Sequence, residues 1–229
     1  MTEKARVKAI LAELRAQANP KNVEGMARYG INPHNALGVS VPFLRGIARR
    51  EGRDHEVAEQ LWASGIHEAR ILAALMDKPD EITEEQMERW SRDFDSWGVC
   101  DQCCGNLFDR TPFAWRKAAE WSERREEFVK RAGFVLMAAL AVHDKRAADE
   151  AFLKFLPVVQ RESSDGRNFV KKAVNWALRQ IGKRNAPLNA EAIRVARSIQ
   201  AMDSRSARWI ATDALRELTS EAVQARLRR

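Results

Sequence analysis

The sequence predicts an all-α fold of stacked helix pairs, and three observations predict it. Nearly every segment between chain breakers carries its apolar residues at helical rather than alternating spacing, and only Val39-Ser40-Val41, before Pro42, reads as extended. Breakers at Asn19-Pro20, Asn32-Pro33, Lys78-Pro79-Asp80, Thr111-Pro112, Ser163-Ser164-Asp165-Gly166 and Asn185-Ala186-Pro187 leave helices joined by short loops. A cation precedes an apolar turn in EARILAALM (Arg70), VKRAGFVLM (Arg131), VKKAVNWALR (Lys172) and SARWIATDALREL (Arg208).

The spacings between those cations are 61, 41 and 36 residues, and the first interval divides at Asp101 into 31 and 30. Units of roughly 40 residues with variation fit HEAT-like repeats. The chain therefore reads as one domain over residues 1-229, a curved solenoid of HEAT-like antiparallel helix pairs. Corresponding helices of a solenoid lie side by side, so one cation per unit makes the concave face basic.

Composition bounds the function. In 229 residues, 45% hydrophobic and 31% charged side chains fit a folded chain rather than a disordered or membrane-embedded one. The amino terminus, MTEKARVKAI, is charged from the start, and the longest apolar run, Ala132 to Val142, is too short to cross a bilayer. A cytoplasmic protein without membrane association is expected. Cys100, Cys103 and Cys104 crowd one helix in a pattern no disulfide framework uses, and they read as reduced, buried thiols. Residues 163 to 229 hold 14 Lys/Arg against 6 Asp/Glu, whereas the first 162 residues hold 25 against 26. That asymmetry points to a polyanion, with nucleic acid ahead of an anionic membrane; a solvated basic surface is the plainer reading.

The helix SWGVCDQCCGNLF places Trp97 and Asp101 four residues apart on one face, opposite the core positions Val99, Cys100, Cys103 and Leu107. The pair can point at one ligand, although an isolated Asp more often caps a helix or meets a surface cation. Arg131 borders the apolar stripe Phe128, Ala132, Val135, Leu136 and Ala139, as a surface arginine or a phosphate clamp. From Lys171 to Lys183, Val170, Val174, Ala177, Leu178 and Ile181 form an apolar face, and Lys172, Trp176, Arg179 and Lys183 form another. A ring flanked by cations suits a nucleic-acid surface, and a Trp filling a gap between helices is the competing reading.

Enzyme signatures of other kinds are missing. His34, His55, His67 and His143 are scattered, the Cys cluster has no second half for zinc, and there is no phosphate loop or dinucleotide turn. No metal, nucleotide or other cofactor is expected.

The sequence resembles the AlkD family of DNA alkylation-repair glycosylases, proteins of stacked HEAT-like helices. The resemblance rests on Asn19-Pro20, Met26-Ala27-Arg28-Tyr29 and Leu37-Gly38-Val39 with Pro42. It continues through Ser96-Trp97-x-x-x-Asp101, Lys130-Arg131-Ala132 and Lys171-Lys172-Ala173-x-x-Trp176-x-Leu178-Arg179 in the family's order. It implies that Trp97 and Trp176 pack on the deoxyribose of a damaged nucleotide, that Asp101 is the catalytic carboxylate, and that Arg131 holds a backbone phosphate. Tyr29 would touch DNA from the amino-terminal side, and Lys130, Lys171, Lys172, Arg179 and Lys183 complete the DNA-binding set. The expected partner is double-stranded DNA carrying N3- or N7-alkylated purines, met by a monomer. Two functions compete with excision: non-catalytic binding of bent, branched or damaged DNA by shape and phosphate contacts, and peptide binding by a helical scaffold.

Overall fold

The structure is a computed structural model that describes residues 2–228. Among the described residues there are fifteen α-helices, one 3-10 turn and no strand. The chain divides into two compact units, the first ending at Thr111 and the second beginning at Pro112.

The first unit contains α1 (Glu3–Ala16), α2 (Pro20–Arg28), α3 (Val41–Glu51), α4 (His55–Ala63), α5 (His67–Met76), α6 (Glu84–Arg92) and α7 (Trp97–Asn106), followed by the 3-10 turn Phe108–Arg110. The second contains α8 (Ala114–Ser122), α9 (Glu127–His143), α10 (Asp149–Leu153), α11 (Phe155–Glu162), α12 (Asn168–Gly182), α13 (Ala186–Gln200), α14 (Arg205–Leu218) and α15 (Glu221–Leu227).

The breakers act where backbone chemistry requires them. Asn19 and Asn185 accept hydrogen bonds from Asn22 N and Leu188 N, capping α2 and α13, and Pro20 and Pro187 occupy first-turn positions where no donor is missed. The extended reading of Val39-Ser40-Val41 stops one residue early. Ser40 is the extended N-cap residue, and Val41 already begins α3 because Pro42 fits a first helical turn.

Each unit is two layers of helices. In the first, α3 and α7 both pack on α5 while α4 lies across from α5 and against α1. Trp62 of α4 stacks on Trp90 of α6, ring centroids 3.9 Å apart and 4° from parallel. In the second, α12 packs between α9 and α14, and α11 touches α8 and α13 in the other layer. Of the helices that carry the repeated cations, α9, α12 and α14 of the second unit lie side by side, α12 against both of the others, and α5 is in the first unit. The core is mainly apolar, from Leu14, Leu44, Leu72 and Trp90 to Trp121, Phe134, Val174 and Ile210, with a few buried polar groups such as Glu68, Asp77 and Arg131 among them.

In the second unit the repeat is also written in hydrogen bonds. Arg184 donates to Ala141 O at 3.2 Å and Arg226 to Lys183 O at 2.7 Å, one repeat apart in each case. Ser206 Oγ donates to Asp165 O at 2.7 Å in the same manner. The three cysteines are buried thiols, none of them in a disulfide, and burial pushes the Cys103 and Cys104 thiols well above their usual range.

Candidate nucleic-acid interface

In the first unit the site is built on α7 and the loop before α3. Trp97 is the first residue of α7 and half-buried, and its indole Nε1 donates to the main-chain oxygen of Tyr29 at 3.0 Å. The structure thus brings together two residues 68 positions apart, and the Tyr29 side chain stays 76% exposed. Asp101 follows one turn later on α7, half-buried.

Two residues that the sequence did not single out for a role hold this arrangement. Glu68, 1% exposed on α5, accepts hydrogen bonds from Leu37 N at 2.8 Å, Gly38 N at 2.7 Å and Val39 N at 3.3 Å. Gly38 has φ +77°, and a Cβ there would lie 2.3 Å from the Asn19 carbonyl oxygen, so the loop is closed around glycine. His67 is buried under the start of α7, where a Cβ on Gly98 would come within 3.1 Å of its Cε1 and 3.5 Å of Ile31 Cδ1. The Gly98 between Trp97 and Asp101 is therefore what lets α7 sit down on α5. Burial lowers the His67 pKa, Glu68 and Asp95 oppose that, and Arg70 reinforces it.

Arg70, the first cation of the repeat, is turned to structural use. It donates to Asp93 O at 3.1 Å and covers the Trp62 ring at 5.4 Å, while Trp62 Nε1 donates to Asp93 Oδ2 at 2.8 Å. Arg131, the second, is 6% exposed and donates to the main-chain oxygen of Phe169 at 2.6 Å, joining α9 to α12. Its place beside the apolar stripe allows a surface arginine or a phosphate clamp; in the structure it is buried and its guanidinium is engaged inside the unit. Lys130 lies 2.5 Å from Glu162 and 3.4 Å from Asp165. Burial raises the Glu162 carboxyl, but hydrogen bonds from Lys130 and Arg161 hold it below the usual range.

The stripe on α12 divides in two. Arg179 pairs with Glu217 of α14, and Lys183 Nζ sits 2.5 Å from the same carboxylate. Burial raises Glu217 and these two cations pull it down to a net lowering, so both positive charges are largely answered. Nearer the start of α12 the cations are open. Lys172 is exposed, Trp176 beside it is half-buried, and Lys171 lies over the Trp209 ring at 4.8 Å. Trp209 itself is 41% exposed. Sequence reasoning missed it, although it stands next to Arg208 in the repeat segment SARWIATDALREL.

This geometry suits a polyanion with flat groups, because the exposed Trp209 and half-buried Trp176 rings lie beside Lys171 and Lys172 in the second unit and a carboxylate accompanies a ring in the first. The comparisons with known proteins agree in kind. A family model described as DNA alkylation repair enzyme matches residues 10–218. An uncharacterised protein of Listeria innocua serovar 6a is 24% identical over 191 residues, covering 82% of this chain and 83% of that one. An uncharacterised protein of Listeria monocytogenes serovar 1/2a is 27% identical over 126 residues, 53% of this chain and 56% of that one. A solved structure described as "a new family of proteins related to the HEAT-like repeat DNA glycosylases with affinity for branched DNA structures" superposes with a TM-score of 0.76 at 19% identity, covering 96% of this chain and 95% of that one. That likeness establishes the HEAT-like repeat fold.

Proposed function

This chain belongs to the DNA alkylation repair enzyme family, and from that premise we propose that it binds double-stranded DNA and hydrolyses the N-glycosidic bond of cationic alkylated purines. The observation that carries the reading is Trp97 held by Tyr29 with Asp101 one helical turn away.

The chemistry asks for little. A purine alkylated at N3 or N7 is already cationic and departs neutral when its glycosidic bond breaks, so no general acid is required. What remains is to stabilise an oxocarbenium-like sugar and to guide a water to it, work for one carboxylate and electron-rich ring faces. Asp101 supplies the carboxylate and Trp97 a ring; Trp176 is proposed to supply a second. Lys172, exposed on α12, is the cation of the predicted set best placed to take a phosphate, with Lys171 beside it.

The test is release of free base from duplex DNA containing 7-methylguanine. The intact protein should release it, and Asp101→Asn should lower the rate on the order of a hundredfold or more while leaving DNA binding in place. No release at protein concentrations that saturate binding overturns the excision reading.

A second reading is favoured by a separate observation. The solved structure of similar fold is described by its affinity for branched DNA, and this chain exposes Trp209 and Lys172. Non-catalytic binding of branched or damaged DNA predicts tight binding, no base release, and no effect of Asp101→Asn.

A further inference from the structure

α12 and α14 run side by side in a constant register of 38 residues, and the register exposes an exception. At one level Asn175 Nδ2 donates to Asp213 Oδ2 at 2.7 Å, and a turn later Arg179 pairs with Glu217. At the level before them, Lys171 meets the ring of Trp209. Where the next two levels place a carboxylate on α14, this one places an aromatic face opposite the ammonium.

Around that level exposed cations predominate. Lys172 is exposed on α12, and Arg205 and Arg208 are exposed on α14. Two acids flank it: Asp203, fully solvated and 3.4 Å from Arg208 in a surface pair of little strength, and Asp213, one turn along α14 from Trp209 and engaged by Asn175 and Arg216. Neither helix has an acidic residue in its first turn. Cations at a helix start oppose the helix dipole, so helix stability does not explain them. A large exposed ring likewise adds nothing to the core. Both features break rules that favour stability, and such exceptions collect at functional surfaces.

We propose that Trp209, supported by Lys171 and flanked by Lys172, Arg205 and Arg208, is a stacking platform for an unpaired nucleobase and its adjoining phosphodiesters. DNA with a single-stranded tail, flap or junction is then held by a base as well as by its backbone. Every base offers a flat π-face, so the contact is indifferent to sequence, and the ammonium above the ring orients it without occupying its whole surface. The inference rests on the DNA-binding part of the proposed function, and it does not require excision.

Fluorescence anisotropy with two labelled DNAs tests it: a blunt duplex, and the same duplex with an oligothymidine tail. The wild-type protein should bind the tailed DNA more tightly. Trp209→Ala should lower affinity for the tailed DNA by about tenfold, the scale of losing one stacked base, and affinity for the blunt duplex less than about twofold. Trp209→Phe should retain most of the preference. Trp209→Leu, which keeps apolar bulk but not the flat ring, should behave like the Ala variant and serves if that variant is unstable. Equal losses on both DNAs, no loss on the tailed DNA, or a wild type with no preference for the tail each overturn the platform alone. A wild type that binds neither DNA overturns the DNA-binding reading and the platform with it.

Discussion

The indole Nε1 of Trp97 and the main-chain oxygen of Tyr29 are joined by a 3.0 Å hydrogen bond, so the ring at the head of α7 is oriented by the turn that ends α2. Trp97→Phe retains a ring but loses the donor. It should destabilise the protein by about 0.5–1 kcal/mol in urea unfolding, the worth of one half-exposed hydrogen bond. Tyr29→Ala removes a side chain that touches solvent and leaves the carbonyl in place. It should leave stability within about 0.5 kcal/mol and lower affinity for duplex DNA. If Tyr29→Ala instead lowers stability and leaves affinity intact, its side chain is not part of the binding surface.

Glu68 gathers the amides of residues 37 to 39 around one buried carboxylate. Glu68→Ala leaves those donors without their acceptor and should cost about 3 kcal/mol. Glu68→Gln keeps one oxygen and should cost less than half as much. Chemical denaturation of the two variants distinguishes this arrangement from ordinary loss of a surface charge, for which both costs would be small.

Much of this was legible in the sequence, and the reasons for what was missed are physical. Caps and breakers are local, so Asn19-Pro20 and Asn185-Ala186-Pro187 could be read from their own neighbourhoods. The repeat, though irregular, is enough to mark α9, α12 and α14 as neighbours. What could not be read is which carboxylate answers which cation. The partner of Arg179 lies 38 residues on, and the acceptor of the Leu37 to Val39 amides lies about 30 residues on. A helical face lists the cations; the neighbouring helix decides which of them, as with Arg179, meets a carboxylate.

That difference predicts unequal salt dependence. Lys172→Gln should flatten the slope of log affinity against log salt by about one, as expected for a cation on a phosphate. Lys183→Gln should leave the slope almost unchanged, because Glu217 already answers that charge. Glu217→Gln should act in the opposite direction, freeing Arg179 and Lys183, raising DNA affinity and steepening the slope. Filter binding between about 50 and 200 mM salt measures all three. A Lys172→Gln slope equal to wild type removes Lys172 from the footprint.

His67 predicts a pH effect with a definite sign. Its folded pKa lies below the unfolded value of 6.5 because burial disfavours the imidazolium. As pH falls below 6.5 the unfolded chain takes up a proton that the folded chain refuses, so stability drops. The contribution is whole above that pH and is lost below it. Between pH 7.5 and 5.5 the wild type should lose stability in urea, and His67→Gln should lose clearly less over the same interval. Parallel curves for the two proteins would assign the acid sensitivity elsewhere.

The fixed step between α12 and α14 is also a ruler for comparing relatives. Asn175 with Asp213, and Arg179 with Glu217, can both form only if α13 and its two turns keep their combined length or change it outside the helices. Insertions among homologous chains should therefore fall in the turns around Arg184 and Asp203. An alignment that opens a gap inside α13 has lost the frame, and the position opposite Lys171 will then be misassigned.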